Sequence, residues 1–340
     1  MITRRPVLER GLPKSRLRVG SNRHWKTAII IGIVLVLIYC LDRPWGINNL
    51  TFHSDPVQSY EQAVQRIEQL RTEETHLKPV AQTIFLTHNQ KVERVVVFIH
   101  GYTNCPNQFR VLGEHMYRLG FNVLITPLPY HGLPNRMTDE HAKLTTEQMV
   151  EYTNRALDIA QGLGERVTIV GLSAGGNMAA WAAHNRSDLD RAVVIAPMFG
   201  YPQIPVLITP AVTNLLLVLP NYFRWWEPHL GENGGTENSY PRFSTRAIAN
   251  ILRLGYAVQK HARKEKIVAN SVVMVTNGND TAVHPVPIRN LVDNWRKKGS
   301  KVITYEYPAE LELGHDLIDP EQPYAKTDLV YPKLIELIKD

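Results

Sequence analysis

With two cysteines in 340 residues, one of them (Cys40) inside an apolar run, the chain has no internal disulfide framework, and cysteine usage is silent about redox compartment. It contains no H-E-x-x-H pair and no Cys/His cluster at zinc-ligand spacing, which argues against metal catalysis. Internal repeats and low-complexity tracts are missing as well. A net charge of +6 suggests a polyanionic partner until it is divided along the chain. Residues 1–26 carry eight Lys/Arg against Glu9 alone, whereas residues 27–340 carry 30 basic and 31 acidic side chains. No aromatic interleaving or nucleic-acid motif accompanies the basic arm, so a nucleic-acid partner is not expected. What remains is a nearly neutral body, 44% hydrophobic, with room for one large α/β domain bearing an insertion or for two modest domains.

After the arm comes "TAIIIGIVLVLIYCL", Thr27 to Leu41, fifteen residues without a charge. As a helix this run reaches roughly 22 Å, short of the roughly 30 Å hydrocarbon core. Its flanks lengthen it, since Trp25 and Trp45 suit the two interfaces and Lys26 and Arg43 can snorkel outward. No small-x-small cleavage site follows, and Tyr39 stands where lipoprotein processing at Cys40 requires a small residue. The expectation is a single-pass transmembrane anchor over 27–45. The Lys/Arg excess before it places residues 1–26 in the cytoplasm and the rest of the chain on the far side.

Ser54-Asp55-Pro56 reads as the start of an amphipathic helix whose apolar face is Tyr60, Ala63, Val64, Ile67 and Leu70, within a linker over 46–78. From 79 to 340 the pattern predicts alternating strands and helices. A strand in "AQTIFL" and a polar turn at His88–Lys91 come first, followed by a buried strand at Arg94–Ile99, a helix at Gln108–Leu119 and a strand at Asn122–Thr126. A helix at Thr145–Gln161 and strands at Val167–Val170 and Ala192–Ile195 come next. The alternation stops near Gly200 and resumes at Ser271, so 200–265 is expected to be an inserted cap. A strand at Ser271, a helix at Pro287–Lys298, the strand "KVITYEYP" and a helix at Asp328–Ile338 close the chain. Such an order predicts a mostly parallel sheet covered by helices on both faces.

Within this frame, "RVTIVGLSAGGNMAAWAAH" places Ser173 between glycines, after a β-branched strand and before an alanine-rich helix. Gly171 and Gly175 leave room for a sharp turn, and the helix aims its first N–H groups at the corner, which is the geometry of a nucleophile elbow. A serine hydroxyl also needs a base, an acid that holds the base's tautomer, and donors for a developing oxyanion. His315 in "ELGHD", after the last strand, is the expected base. Asp280, ending "MVTNGND", is the expected acid, with Asp293, Asp316 and Asp319 as rivals. The chain order Ser, Asp, His fits such a site. The N–H of Ala174 and that of Tyr102 in "HGYTNCP" are the expected oxyanion donors. His100 and His131, both before glycines, read as loop-shaping, and Cys105 reads as a small loop residue without an elbow.

Together "FIHGYTNCP", "GLSAGG", "NGNDTAV" and "GHD" resemble the oxyanion loop, elbow, acid loop and histidine loop of the α/β-hydrolase superfamily. The "HGYT" form with a cap resembles its monoglyceride lipase and carboxylesterase branch, often grouped with serine aminopeptidases. The resemblance spans roughly residues 80–340. It implies Ser173 as nucleophile, His315 as base, Asp280 as its partner, and hydrolysis of carboxylic esters with neither metal nor cofactor. A peptidase, thioesterase or acyltransferase fits the same triad, and an anchored binding protein on this scaffold is the non-catalytic alternative. The cap segment "VLITPAVTNLLLVLP", with Phe223, Trp225 and Trp226, either lines an acyl pocket or forms the cap's own core. Beside an anchor, it favours a lipid-like ester, monoglyceride- or lysolipid-like, as the small-molecule substrate.

Overall fold

In the computed structural model of the chain, residues 22–42, 45–48 and 50–340 are described, with side chains excluded at 22–24 and 36–42. Most of the basic arm, the Cys40 side chain and Arg43 lie outside the described residues. The chain divides into two compact units, residues 1–40 and 41–340. Helix α1 spans Asn22–Asp42, and Trp25, Ile29, Ile30, Ile31, Ile33, Val34 and Leu35 are exposed along it. Among the described residues no helix is long and apolar enough to cross a membrane.

In the larger unit, α2 (Tyr60–Glu73) precedes β1 (Ile84–Leu86), β2 (Val92–Ile99), α3 (Arg110–Arg118), β3 (Asn122–Ile125), α4 (Thr146–Ala160), β4 (Gly164–Leu172), α5 (Ala174–Asn185) and β5 (Arg191–Ile195). The insertion contains α6 (Thr209–Val218) and the strands β6 (Phe223–Trp225) and β7 (Arg242–Ser244). Then come α7 (Thr245–Lys264), β8 (Ser271–Asn277), α8 (Pro285–Lys297), β9 (Val302–Tyr307) and α9 (Thr327–Lys339). The main sheet runs β1-β3-β2-β4-β5-β8-β9, with β1 antiparallel to β3 and every other neighbouring pair parallel. This is the covered parallel sheet that the unbroken apolar runs require, and Val95 through Ile99 are all fully buried. Residues of α2, α4, α5, α7 and α8 share one core on one face of the sheet, and those of α3 and α9 share the other.

Two boundaries differ from the sequence expectation. The amphipathic helix begins at Ser59, not at Ser54. Ser59 and Gln62 form a capping box, while Ser54 Oγ and the Asp55 N–H are drawn to the Asp158 carboxylate at 3.1 and 2.8 Å. Its Ala63 and Ile67 are fully buried, so α2 is part of the domain core. The insertion is also shorter than 200–265. Residues 245–264 form α7, whose Ile251, Leu254 and Val258 are completely buried and whose position in the chain is that of the crossover between parallel β5 and β8. Burial of such side chains contributes roughly 1.5–3 kcal/mol each, which a detached cap helix would not gain.

Candidate active site

The loops that follow β2, β4, β8 and β9 leave the carboxyl ends of parallel strands, where open α/β sheets place their ligands. Ser173 stands between β4 and α5 with φ 57° and ψ −112°, a left-handed conformation that costs a non-glycine residue about 1–3 kcal/mol. The surroundings hold it there: the Ser173 N–H donates to the Ile195 carbonyl at 2.9 Å, and the Asn177 N–H donates to the Ser173 carbonyl at 3.1 Å. A Cβ on Gly171 would collide with the Gly175 carbonyl, and one on Gly175 with the Ile99 carbonyl. Both glycines therefore allow α5 to start against the strand ends.

His315 Nδ1 donates to Asp280 Oδ2 at 2.8 Å. The carboxylate can only accept, so Nδ1 carries the proton and Nε2 is the basic nitrogen. Burial, the largest single effect, opposes charge on both groups. It is outweighed by their mutual attraction together with the Ala282 and Val283 N–H groups on Asp280 and the Asp316 charge on His315. Asp280 is held below the ordinary carboxylate value and His315 above the ordinary imidazole value. The Ala282 N–H also donates to Asp280 Oδ1 at 2.8 Å. None of the rival carboxylates partners the ring. Asp293 lies exposed on α8, and Asp316 and Asp319 turn toward Asn104 instead. Burial and the neighbouring Asp316 push Asp319 up to about 7.

Ser173 and His315 border one cavity of about 210 Å³, together with Tyr102, Met198, Trp226 and Glu227. The backbone N–H groups of Tyr102 and Ala174 have no acceptor among the described residues. Ala174 opens α5, so its N–H also carries the positive end of the helix dipole. The loop carrying Tyr102 is braced by neutral histidines. His100 Nδ1 donates to the Gly101 carbonyl and its Nε2 accepts the Leu128 N–H, while His131 Nε2 accepts the Thr103 N–H at 3.1 Å. Burial lowers His100 to about 3 and His131 to about 4, which keeps both as hydrogen-bonding struts near neutral pH. Cys105 is fully buried, and burial pushes its thiol up to about 12, out of reach of thiolate chemistry at neutral pH.

The Tyr102 ring has a second task. Its hydroxyl pairs with His141 Nδ1 at 2.6 Å and accepts the Ser244 N–H at 3.2 Å, tying this loop to the end of the insertion. Trp226 Nε1 donates to Thr103 Oγ1 at 2.9 Å, and the Tyr240 N–H donates to the Thr103 carbonyl at 2.7 Å. Trp226 is one of the three cap aromatics that the sequence offers either to an acyl pocket or to the cap's own core, and it borders the cavity. Glu227 and Tyr240 carry no such sign, because only the folding back of the insertion brings them to the loop. The apolar run 206–220 neither fills the cap nor faces this cavity throughout. Leu207 is 82% exposed and Val218 60%, with Ile208, Leu215 and Leu219 also exposed.

The strand order, the insertion after β5 and the loops at one sheet edge define an α/β-hydrolase. The family described as serine aminopeptidase, S33, matches residues 90–317, and the chain belongs to it. It is 23% identical over 195 residues, 57% of its length and 72% of the relative's, to a thermostable monoacylglycerol lipase of Bacillus sp. (strain H-257). Among solved structures, a monoacylglycerol lipase of Paleococcus ferrophilus is similar with a TM-score of 0.56 at 18% identity, covering 75% of this chain and 97% of that one. A soluble variant of the Saccharomyces cerevisiae monoglyceride lipase, in complex with a substrate analogue, gives a TM-score of 0.54 at 16% identity over 75% and 89% of the two chains.

Proposed function

We propose that this α/β-hydrolase cleaves carboxylic esters of apolar acyl chains with an uncharged alcohol, monoglyceride-like in chemistry, through Ser173, His315 and Asp280. The observation that carries this reading is the bordering of one cavity by the strained Ser173 and by His315, whose other ring nitrogen is held by Asp280. Ser173 Oγ attacks the ester carbonyl as His315 Nε2 takes its proton, and the N–H groups of Tyr102 and Ala174 receive the oxyanion. The imidazolium returns the proton to the leaving alcohol. Water, activated by the same nitrogen, then frees the acid and the serine. Throughout, Asp280 keeps the ring in one tautomer and stabilises its charged form.

An uncharged alcohol is favoured by the walls. They bring the carboxylates of Glu227 and Asp316 to the cavity and, among the described residues, no Lys or Arg, so a phosphate head group would meet like charge without a counterion. The exposed Leu207, Ile208, Val218 and Leu219 fit an enzyme that draws its substrate from a lipid surface. On a panel with one acyl chain, kcat/KM for the monoacylglycerol is expected to exceed that for the lysophospholipid by about tenfold or more, with amide substrates slower still. Faster cleavage of an aminoacyl amide than of any ester would replace this reading with a peptidase.

The membrane anchor belongs to the same proposal and rests on the sequence of residues 27–45 and the basic arm before them. It puts the N-terminus in the cytoplasm and the catalytic domain outside it. The full chain is then expected to stay with membranes through an alkaline carbonate wash, and a chain lacking residues 1–45 to be released. Release of the full chain would remove the anchor from the account.

A further inference from the structure

The loop carrying Tyr102 and the loop carrying His315 lie more than 200 positions apart in sequence, yet one buried side chain touches both. Gln108, 2% exposed, sits in the short 3-10 turn 106–109 just before α3. Its Oε1 accepts the Gly101 N–H at 2.8 Å, and its Nε2 donates to Asp316 Oδ2 at 2.8 Å. Gly101 is the residue before Tyr102, and Asp316 the residue after His315. The amide has one orientation only, because a flip would set Nε2–H against an N–H and Oε1 against a carboxylate.

Asp316 is equally committed. Its Oδ2 also accepts Asn104 Nδ2 at 3.2 Å and Gln322 Nε2 at 2.9 Å, and its Oδ1 accepts the Asp319 N–H at 3.3 Å. Asn104 lies on the oxyanion loop, so the carboxylate holds that loop at a second point. None of these hydrogen bonds reaches the Asp280–His315 pair or is required to hold the ring's tautomer, although the charge of Asp316 also favours the imidazolium.

We propose that Gln108 and Asp316 are positioning residues that set the distance between the oxyanion donor Tyr102 and the base His315. The bridge ties the backbone on one side of the reacting carbonyl to the backbone on the other, so the two loops keep one spacing as charge develops. Misplacement of a catalytic group by about 1 Å can cost about a hundredfold in rate, and this bridge spans the gap where such a drift would occur. The inference rests on the triad reading above.

The test is the second-order rate at which a fluorophosphonate labels Ser173, together with kcat and KM on a short-chain ester. Gln108→Glu keeps the size and the bond to Gly101 but sets a carboxylate against Asp316. Labelling and kcat are expected to fall about 30- to 100-fold, with KM within about twofold. Adding Asp316→Asn turns the bridge around, the new amide donating to the new carboxylate. The double variant is expected to recover at least about fivefold of that loss, a coupling that independent packing defects would not produce. Asn107, on the same turn, reaches the same loop only at the surface, through Glu321 Oε1 at 2.7 Å, and Asn107→Ala is expected to stay within about twofold of wild type. If the glutamate variant does not fold, Gln108→Met removes both hydrogen bonds without a new charge and carries the same expectation. A Gln108 variant that labels at the wild-type rate, a double variant no better than the single, or an equal loss in Asn107→Ala overturns the bridge. Wild-type protein that does not label at all overturns the triad reading, and the bridge with it.

Discussion

Ser173→Ala is expected to lower kcat on a monoacylglycerol by about 10⁵-fold or more while leaving the protein folded. The size of the loss follows from the position. The hydroxyl is held by an elbow whose backbone is pinned by Ile195, Asn177 and Gly175, and removing one oxygen from that corner leaves the pin intact. Alanine tolerates the left-handed conformation no worse than serine does, so the melting temperature is expected to change little. Residual hydrolysis would come from the oxyanion donors and from substrate binding. Parallel steady-state kinetics and thermal melts check this, and a variant retaining a tenth of wild-type turnover would show that another group delivers the nucleophile.

Asp280→Asn is expected to lower kcat by about 10⁴-fold and, separately, to move the pH profile. The sign follows from His315. Burial alone would lower its value, but the charge and hydrogen bond of Asp280, with the charge of Asp316, together hold it above the ordinary 6.5. The base must be neutral to accept the serine proton, so in the wild type kcat/KM falls as pH drops through a value above 6.5. In the variant the carboxylate charge is gone and burial remains, which disfavours the imidazolium. The acid limb of the residual activity is therefore expected at lower pH than in the wild type. An unchanged limb would mean that the group titrating in kcat/KM is not His315.

The sheet was legible because its strands are short apolar runs between glycine and polar turns, and "VVVFIHG", "VTIVGLSAGG" and "VVMVTNGND" each carry their own stop signal. The elbow was legible for a local reason: the two small residues that the turn requires flank the serine. The Asp280–His315 contact joins loops 35 positions apart, yet each loop could be placed at the sheet edge by the strand before it. Gln108 could not be singled out, since its role depends on Asp316, 208 positions away. Tyr240 was hidden in the same way, by an insertion whose return path follows no periodic pattern, which also left Trp226 open between pocket wall and cap core. The Pro and aromatic content that marks the insertion covers 200–244 and does not extend over α7. That helix carries an amphipathic repeat of its own in Ile248, Ile251, Leu252 and Leu254. Ser54-Asp55 has the composition of a helix cap five residues before the true one at Ser59, and its use of Asp158 instead is a tertiary matter.

The most direct measurement is the intact mass of residues 46–340 after treatment with a fluorophosphonate, beside the same chain carrying Ser173→Ala. One phosphonyl adduct per wild-type molecule, absent from the variant, is the expected result. It requires Ser173 to be the activated nucleophile that the elbow, His315 and Asp280 together imply. A folded wild-type sample that gains no mass, or a variant that gains as much, would contradict the account.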